Sequence, residues 1–217
     1  QQWSNKIKQN FDSTAVIDIT VIDNHFGYDG VSPRWLHQDL GNGYAAAAYG
    51  ISIFDNIYRV YFNTIRTDTC PVITHTDPEM NISFLNTLTL NRTGQDNAYI
   101  YGEPFSTNRL LSGNIPAGKP SFSVKGDIPN PGLYLGETLY RQLSDSSLNV
   151  GQVETTYNKY YDEMHQKTKT SFDEEVFYIH KSYLLSDILT NTNFKSNNHY
   201  AEHLIRTIGR TKNQDIY

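Results

Sequence analysis

The sequence predicts an α+β fold on two observations. Short β-branched runs bounded by turn residues fill its first two thirds, and apolar residues at helical spacing mark 130–143 and the end of the chain. In chain order, 15–22 is a strand that ends in a polar, glycine-containing loop at 23–30. Segments 51–54 and 57–62 flank Asp55-Asn56, which is turn chemistry suited to a hairpin. Further strands are expected at 82–90, 98–101, 121–125 and 176–180. Asn130-Pro131 has the form of a cap followed by a first-turn proline, and Leu133, Leu135, Leu139 and Leu143 then supply an apolar helix face. Polar and aperiodic, 149–175 is expected to be a long excursion. Two helices close the chain, one on Leu184, Leu185, Ile188 and Leu189, the other on Tyr200, Leu204 and Ile208, with Gly209 as its stop.

The bulk properties exclude several classes. A net charge of -5 gives no footprint for nucleic acid, and no apolar run reaches the ~20 residues of a membrane span. With Cys70 as the single cysteine, an internal disulfide and a cysteine-rich metal site are both excluded. The chain opens within what reads as a helix and stops soon after another, so a piece of something longer is expected.

Three strings have the spacing of known motifs. Gly113 to Lys119 has P-loop spacing, but Pro120 stands where a magnesium-binding hydroxyl belongs, and 121–125 reads as a strand where a helix should cradle phosphate. His199, Glu202 and His203 match the H-x-x-E-H pattern of zinc peptidases, although few residues remain to supply a third ligand. The third is Ser196-Asn197-Asn198, a Ser-x-Asn triplet that by itself says little, since serine and asparagine open helices anyway.

The surroundings of that triplet, 181–188 (KSYLLSDI) and 192–209 (TNFKSNNHYAEHLIRTIG), resemble the second active-site motif of the peptidase S13 family, the class C penicillin-binding proteins. Segment 35–51 (WLHQDLGNGYAAAAYGI) resembles the segment that follows a Trp and an Asp in that family, and a block running from Asn108 to Pro129 is similar to the family's insert region. The resemblance implies a serine-type D-alanyl-D-alanine carboxypeptidase or endopeptidase of peptidoglycan, with no metal or organic cofactor and an extracytoplasmic location. Implied partners are peptides ending in D-Ala-D-Ala and, for the intact parent, β-lactams. The implied fold is a set of inserted α/β domains, 1–56 and 57–185, with 186–217 returning into a split catalytic domain.

Within that resemblance, Ser196 and Asn198 take the catalytic positions, and Asp39 with Tyr44 would hold a diaminopimelate side chain. Asn197 occupies the variable position and receives no role. No serine has a lysine three positions on and no Lys-Thr-Gly occurs, Arg92-Thr93-Gly94 being the nearest string. The fragment is therefore expected to be inert alone. The other readings left open are a non-catalytic envelope module that binds peptidoglycan or a partner, and the zinc peptidase.

Overall fold

A computed structural model describes residues 2–11, 14–27, 29–66, 70–145, 148–158, 176 and 178–212. The chain divides into two units that interleave along the sequence: 1–29, 49–51 and 131–191 form the first, and 30–48, 52–130 and 192–217 the second. This division by packing differs in kind from the contiguous segments 1–56, 57–185 and 186–217 expected from insertion.

In the first unit, helix α1 (Gln2–Asn10) buries Ser4 and Ile7, and strand β1 (Val16–Val21) turns Ile19 and Val21 inward, as its alternation requires. Helix α2 (Pro131–Ser144) starts on the expected proline. Its Leu135, Leu139 and Leu143 pack with Ile7, Ile19, Val21, Val150 and Val153 in one cluster. Gly136 permits that packing, because a Cβ there would lie 2.6 Å from Val153 Cγ1 and 3.1 Å from Val21 Cγ2. Part of the expected excursion is in fact a strand, written here β9 (Asn149–Thr155), parallel to β1 with Val16 opposite Asn149 and Val21 opposite Thr155. Its polar, glycine-containing sequence gives no period of its own, and pairing with β1 makes it a strand. The remainder, 159–175, lies outside the described residues. The strand expected at 176–180 is not formed by its described residues, which have no regular structure.

The second unit is built on two sheets. In one, β2 (Ile57–Asn63) lies between β3 (Val72–Asp77) and β8 (Phe122–Asp127), antiparallel to both, and its Tyr58, Val60 and Phe62 are fully buried. In the other, β7 (Asn108–Pro116) is central, parallel to β4 (Ser83–Asn86) and β5 (Thr89–Asn91) and antiparallel to β6 (Asn97–Tyr101). The single strand expected at 82–90 is thus two.

The hairpin at Asp55-Asn56 is not formed. Phe54, Asp55 and Asn56 all have positive φ, and Asn56 fixes this left-handed turn by accepting from Ile53 N–H and donating to the Ala47 carbonyl, each at 3.0 Å. Residues 51–53 therefore lead into β2 without pairing to it. Helices α3 (Leu185–Lys195) and α4 (Asn198–Thr211) close the described chain. Gly209 does not stop α4, which runs two residues beyond it. No helix among the described residues is long and apolar enough to cross a membrane.

Candidate functional site

The site is assembled within the second unit at the turn between α3 and α4. Ser196 takes the left-handed conformation there (φ 50°), which reverses the chain after α3 and leaves the serine exposed. Asn197 then caps α4, its side-chain oxygen accepting from Tyr200 N–H at 3.1 Å. The variable residue of the triplet thus aims its neighbours. Asn197→Ala is expected to destabilise the second unit by about 1 kcal/mol while Asn197→Asp retains most of the cap, as a urea midpoint comparison would measure.

Asn198, first residue of α4, donates from Nδ2 to the Tyr44 carbonyl at 3.3 Å. The Tyr44 hydroxyl donates to Asp39 Oδ1 at 3.0 Å. Burial first, then the bond to Asp39 and its charge, push the Tyr44 phenol up to about 12, so it stays a neutral donor at physiological pH. Asp39, Tyr44 and Asn198, the last of them 154 positions from Tyr44, are therefore joined in one hydrogen-bonded chain. Ser196 lies beside them, in a cleft of about 670 Å³ that is also lined by Tyr44, Asn198 and His199. A smaller cleft of about 260 Å³ has Trp35, Asp39 and Glu202 on its walls and shares Tyr44 and Asn198 with the first.

Two cations in the larger cleft had no signal in the sequence. In a cleft also lined by Lys195, Asp55 and Asp96, Arg59 on β2 stands directly opposite Lys125 on β8, a like-charge pairing that costs stability. Strand register brings them together, and register is not visible in composition or spacing. Gly43 makes room for this pairing, since a Cβ there would lie 2.7 Å from Lys125 Cβ.

The other motifs separate by geometry. Gly113 lies in β7 opposite Ala98, where its lack of a Cβ lets the Asn97 carbonyl approach, and Lys119 is tied through its backbone to Thr64. Strand β8 follows it, so no helix amides are available for phosphate. Arg92-Thr93-Gly94 forms a turn around the Asn91 side chain, which accepts from Thr93 N–H and Gly94 N–H at 3.1 Å each. In the H-x-x-E-H string, Glu202 lines the smaller cleft. Burial raises its carboxyl against the pull of Arg206 and a hydrogen bond from Trp35. His199 and His203 meet elsewhere, at Ser52, a residue the sequence did not single out.

The D-Ala-D-Ala carboxypeptidase 3 (S13) family matches residues 9–216, and the chain belongs to that family. Its fold is similar to that of penicillin binding protein 4 from Haemophilus influenzae, with a TM-score of 0.64 at 15% identity over 94% of this chain and 43% of that one. A second structure of that protein, complexed with a novel β-lactam, matches at a TM-score of 0.52 and 15% identity, over 79% of this chain and 37% of the other. The chain thus spans about two fifths of the length of the structures it resembles. No curated protein matches its sequence.

Proposed function

We propose that the chain is part of a serine D-alanyl-D-alanine carboxypeptidase or endopeptidase acting on peptidoglycan stem peptides outside the cytoplasm. In this reading 1–56 and 57–185 are inserts and 186–217 returns to the catalytic domain. The observation that carries it is the linked set Asn198, Tyr44 and Asp39, with exposed Ser196 lining a cleft together with Tyr44 and Asn198.

The reaction begins when a serine oxygen, supplied from a Ser-x-x-Lys motif outside these 217 residues, attacks the penultimate D-alanine carbonyl. The carbon–nitrogen bond to the terminal D-alanine breaks as a proton reaches the leaving amine, and water then releases the acyl group as a carboxylate. The Ser196 hydroxyl is suited to relay that proton because it can donate and accept at once. The Asn198 carboxamide can hold a substrate backbone group while its Nδ2 stays anchored to Tyr44. Arg59 and Lys125 provide a place for a substrate carboxylate.

The Asp39 carboxylate, already oriented by Tyr44, is suited to a side-chain amine on the stem peptide. Asp39→Asn is expected to raise KM about tenfold for peptides carrying that amine and to leave peptides lacking it unchanged, as hydrolysis assays on the two substrates would measure. Covalent labelling by a fluorescent penicillin tests the whole reading, applied to a longer protein that contains this chain with Ser-x-x-Lys and Lys-Thr-Gly. A folded protein that takes no label would refute it.

A further inference from the structure

Two strand edges of the second unit border the larger cleft. Strand β8 ends one sheet, pairing only with β2, and β6 pairs only with β7 in the other. Ser123 to Lys125 of β8 and Asn97 to Tyr99 of β6 all line the cleft. The direction of the β8 backbone is fixed at its end. Asp127 N–H donates to the Gly41 carbonyl at 3.0 Å, away from β2, whereas Ile128 N–H donates to the Asn56 carbonyl at 2.8 Å, just ahead of β2. Backbone groups alternate along a strand, so those of Ser123 and Lys125 point away from β2 as those of Asp127 do. Among the described residues, the Ser123 N–H and carbonyl have no partner on that side.

Asn42 shows how wide the space between the edges is. Its backbone bridges Gly126 of β8 in antiparallel sense, while its side chain accepts from Ile100 N–H of β6 at 2.9 Å. One extended segment, 41–43, therefore spans from β8 to β6. After it the chain turns off into a short helical turn (Gly43–Ala45), and the edge of β8 runs on as a wall of the cleft. An exposed strand edge is a template for another extended chain, with main-chain bonds supplying affinity and flanking side chains selectivity.

We propose that a stem peptide of peptidoglycan binds this cleft as an added strand on β8, in line with 41–43, exchanging main-chain hydrogen bonds with Ser123. The identity of the peptide rests on the acyl-transfer reading, and the manner of its binding rests on the strand edge. Arg59, Lys125 and Lys195 outnumber Asp55 and Asp96 on the walls, and Asp96 already accepts from Ala98 N–H at 3.1 Å. That balance suits a peptide bearing free carboxylates. A few main-chain bonds and exposed charge pairs imply a Kd of ~0.1–1 mM.

The test is amide hydrogen exchange on the 217-residue chain with a synthetic stem pentapeptide ending in D-Ala-D-Ala. With peptide at ten times its Kd, exchange at the Ser123 amide should slow about tenfold, while the amides of β1 in the first unit stay unchanged. Proline at 123 removes an N–H that the β2 ladder does not use, so Ser123→Pro should weaken binding at least tenfold. Ser123→Ala keeps that N–H and should bind within about twofold of the parent. Circular dichroism checks that the proline variant folds, and the exchange measurement stands without any variant. No binding at about 5 mM peptide, unchanged exchange at Ser123 in the complex, or undiminished binding by folded Ser123→Pro would overturn the proposal. So would protection of Ser123 in the longer protein before peptide is added, since its own chain would then pair with β8. Penicillin labelling does not depend on this edge, so a longer protein that takes the label but shows no peptide protection at Ser123 would refute this inference alone.

Discussion

Replacing Ser196 by alanine, in a longer protein that carries this chain with the remaining two motifs, is expected to slow acylation by penicillin about 10²–10⁴-fold, the usual contribution of a positioned proton donor and acceptor. The backbone at Ser196 makes the experiment discriminating. Because φ is 50° there, alanine keeps the left-handed strain and glycine relieves it. Ser196→Gly should thus be the more stable variant by up to ~1 kcal/mol and yet label as slowly as alanine. If the residue were merely a turn former, glycine would restore the rate. Asn198→Ala removes two things together, a group facing the cleft and the bond to the Tyr44 carbonyl. Its rate loss should therefore be accompanied by a small fall in melting temperature, which Ser196→Gly does not share.

Legibility in the sequence followed how locally each feature is determined. Strand β1, helix α2 and the onset of α4 depend on alternation, a proline start and an asparagine cap, and all are written in adjacent residues. Strand β7 is not among the expected strands, since Gly113 and Pro116 interrupt it, yet three strands pair with it. The face of α4 was misjudged for a related reason. Its apolar residues suggested the packed side, but His199 and Arg206 are buried while Ile208 remains 52% exposed. The polar side docks because its groups find fixed partners at Ala46 and Ser52, and partners in a distant segment cannot be read from the helix itself. Asp39, Tyr44, Ser196 and Asn198 were found through the resemblance, whereas Ser52, Arg59 and Lys125 needed three-dimensional register.

The largest stability effect is expected from Asp127→Ala. Arg109 is only 1% exposed, and its Nη2 donates to Asp127 Oδ1 at 3.0 Å. Its Nη1 donates to the carbonyls of Ser106 at 2.6 Å, Asn108 at 3.2 Å and Glu103 at 3.3 Å. Burial pushes the Asp127 carboxyl up to about 6 against the attraction of Arg109, which still leaves it ionised at pH 7. Alanine at 127 would strand a charged guanidinium in the interior, at a cost of about 3–5 kcal/mol. A urea titration should register that as a lower midpoint at unchanged slope. Replacing both partners by apolar residues, Arg109→Met with Asp127→Leu, should recover most of the loss, since no unpaired charge remains.

The consequence reaches the cleft. Asp127 N–H donates to the Gly41 carbonyl at 3.0 Å, and Asn42 ties the same loop to Ile100 N–H at 2.9 Å and to the Asp39 carbonyl at 3.1 Å. The loop that presents Asp39 and Tyr44 is thus held by the strand end that Arg109 neutralises. Asp127→Ala, by leaving Arg109 unpaired beneath that strand end, should therefore weaken discrimination between amine-bearing and amine-lacking peptides even below its unfolding midpoint, while the apolar double variant, which leaves no buried charge to displace the strand end, should keep it.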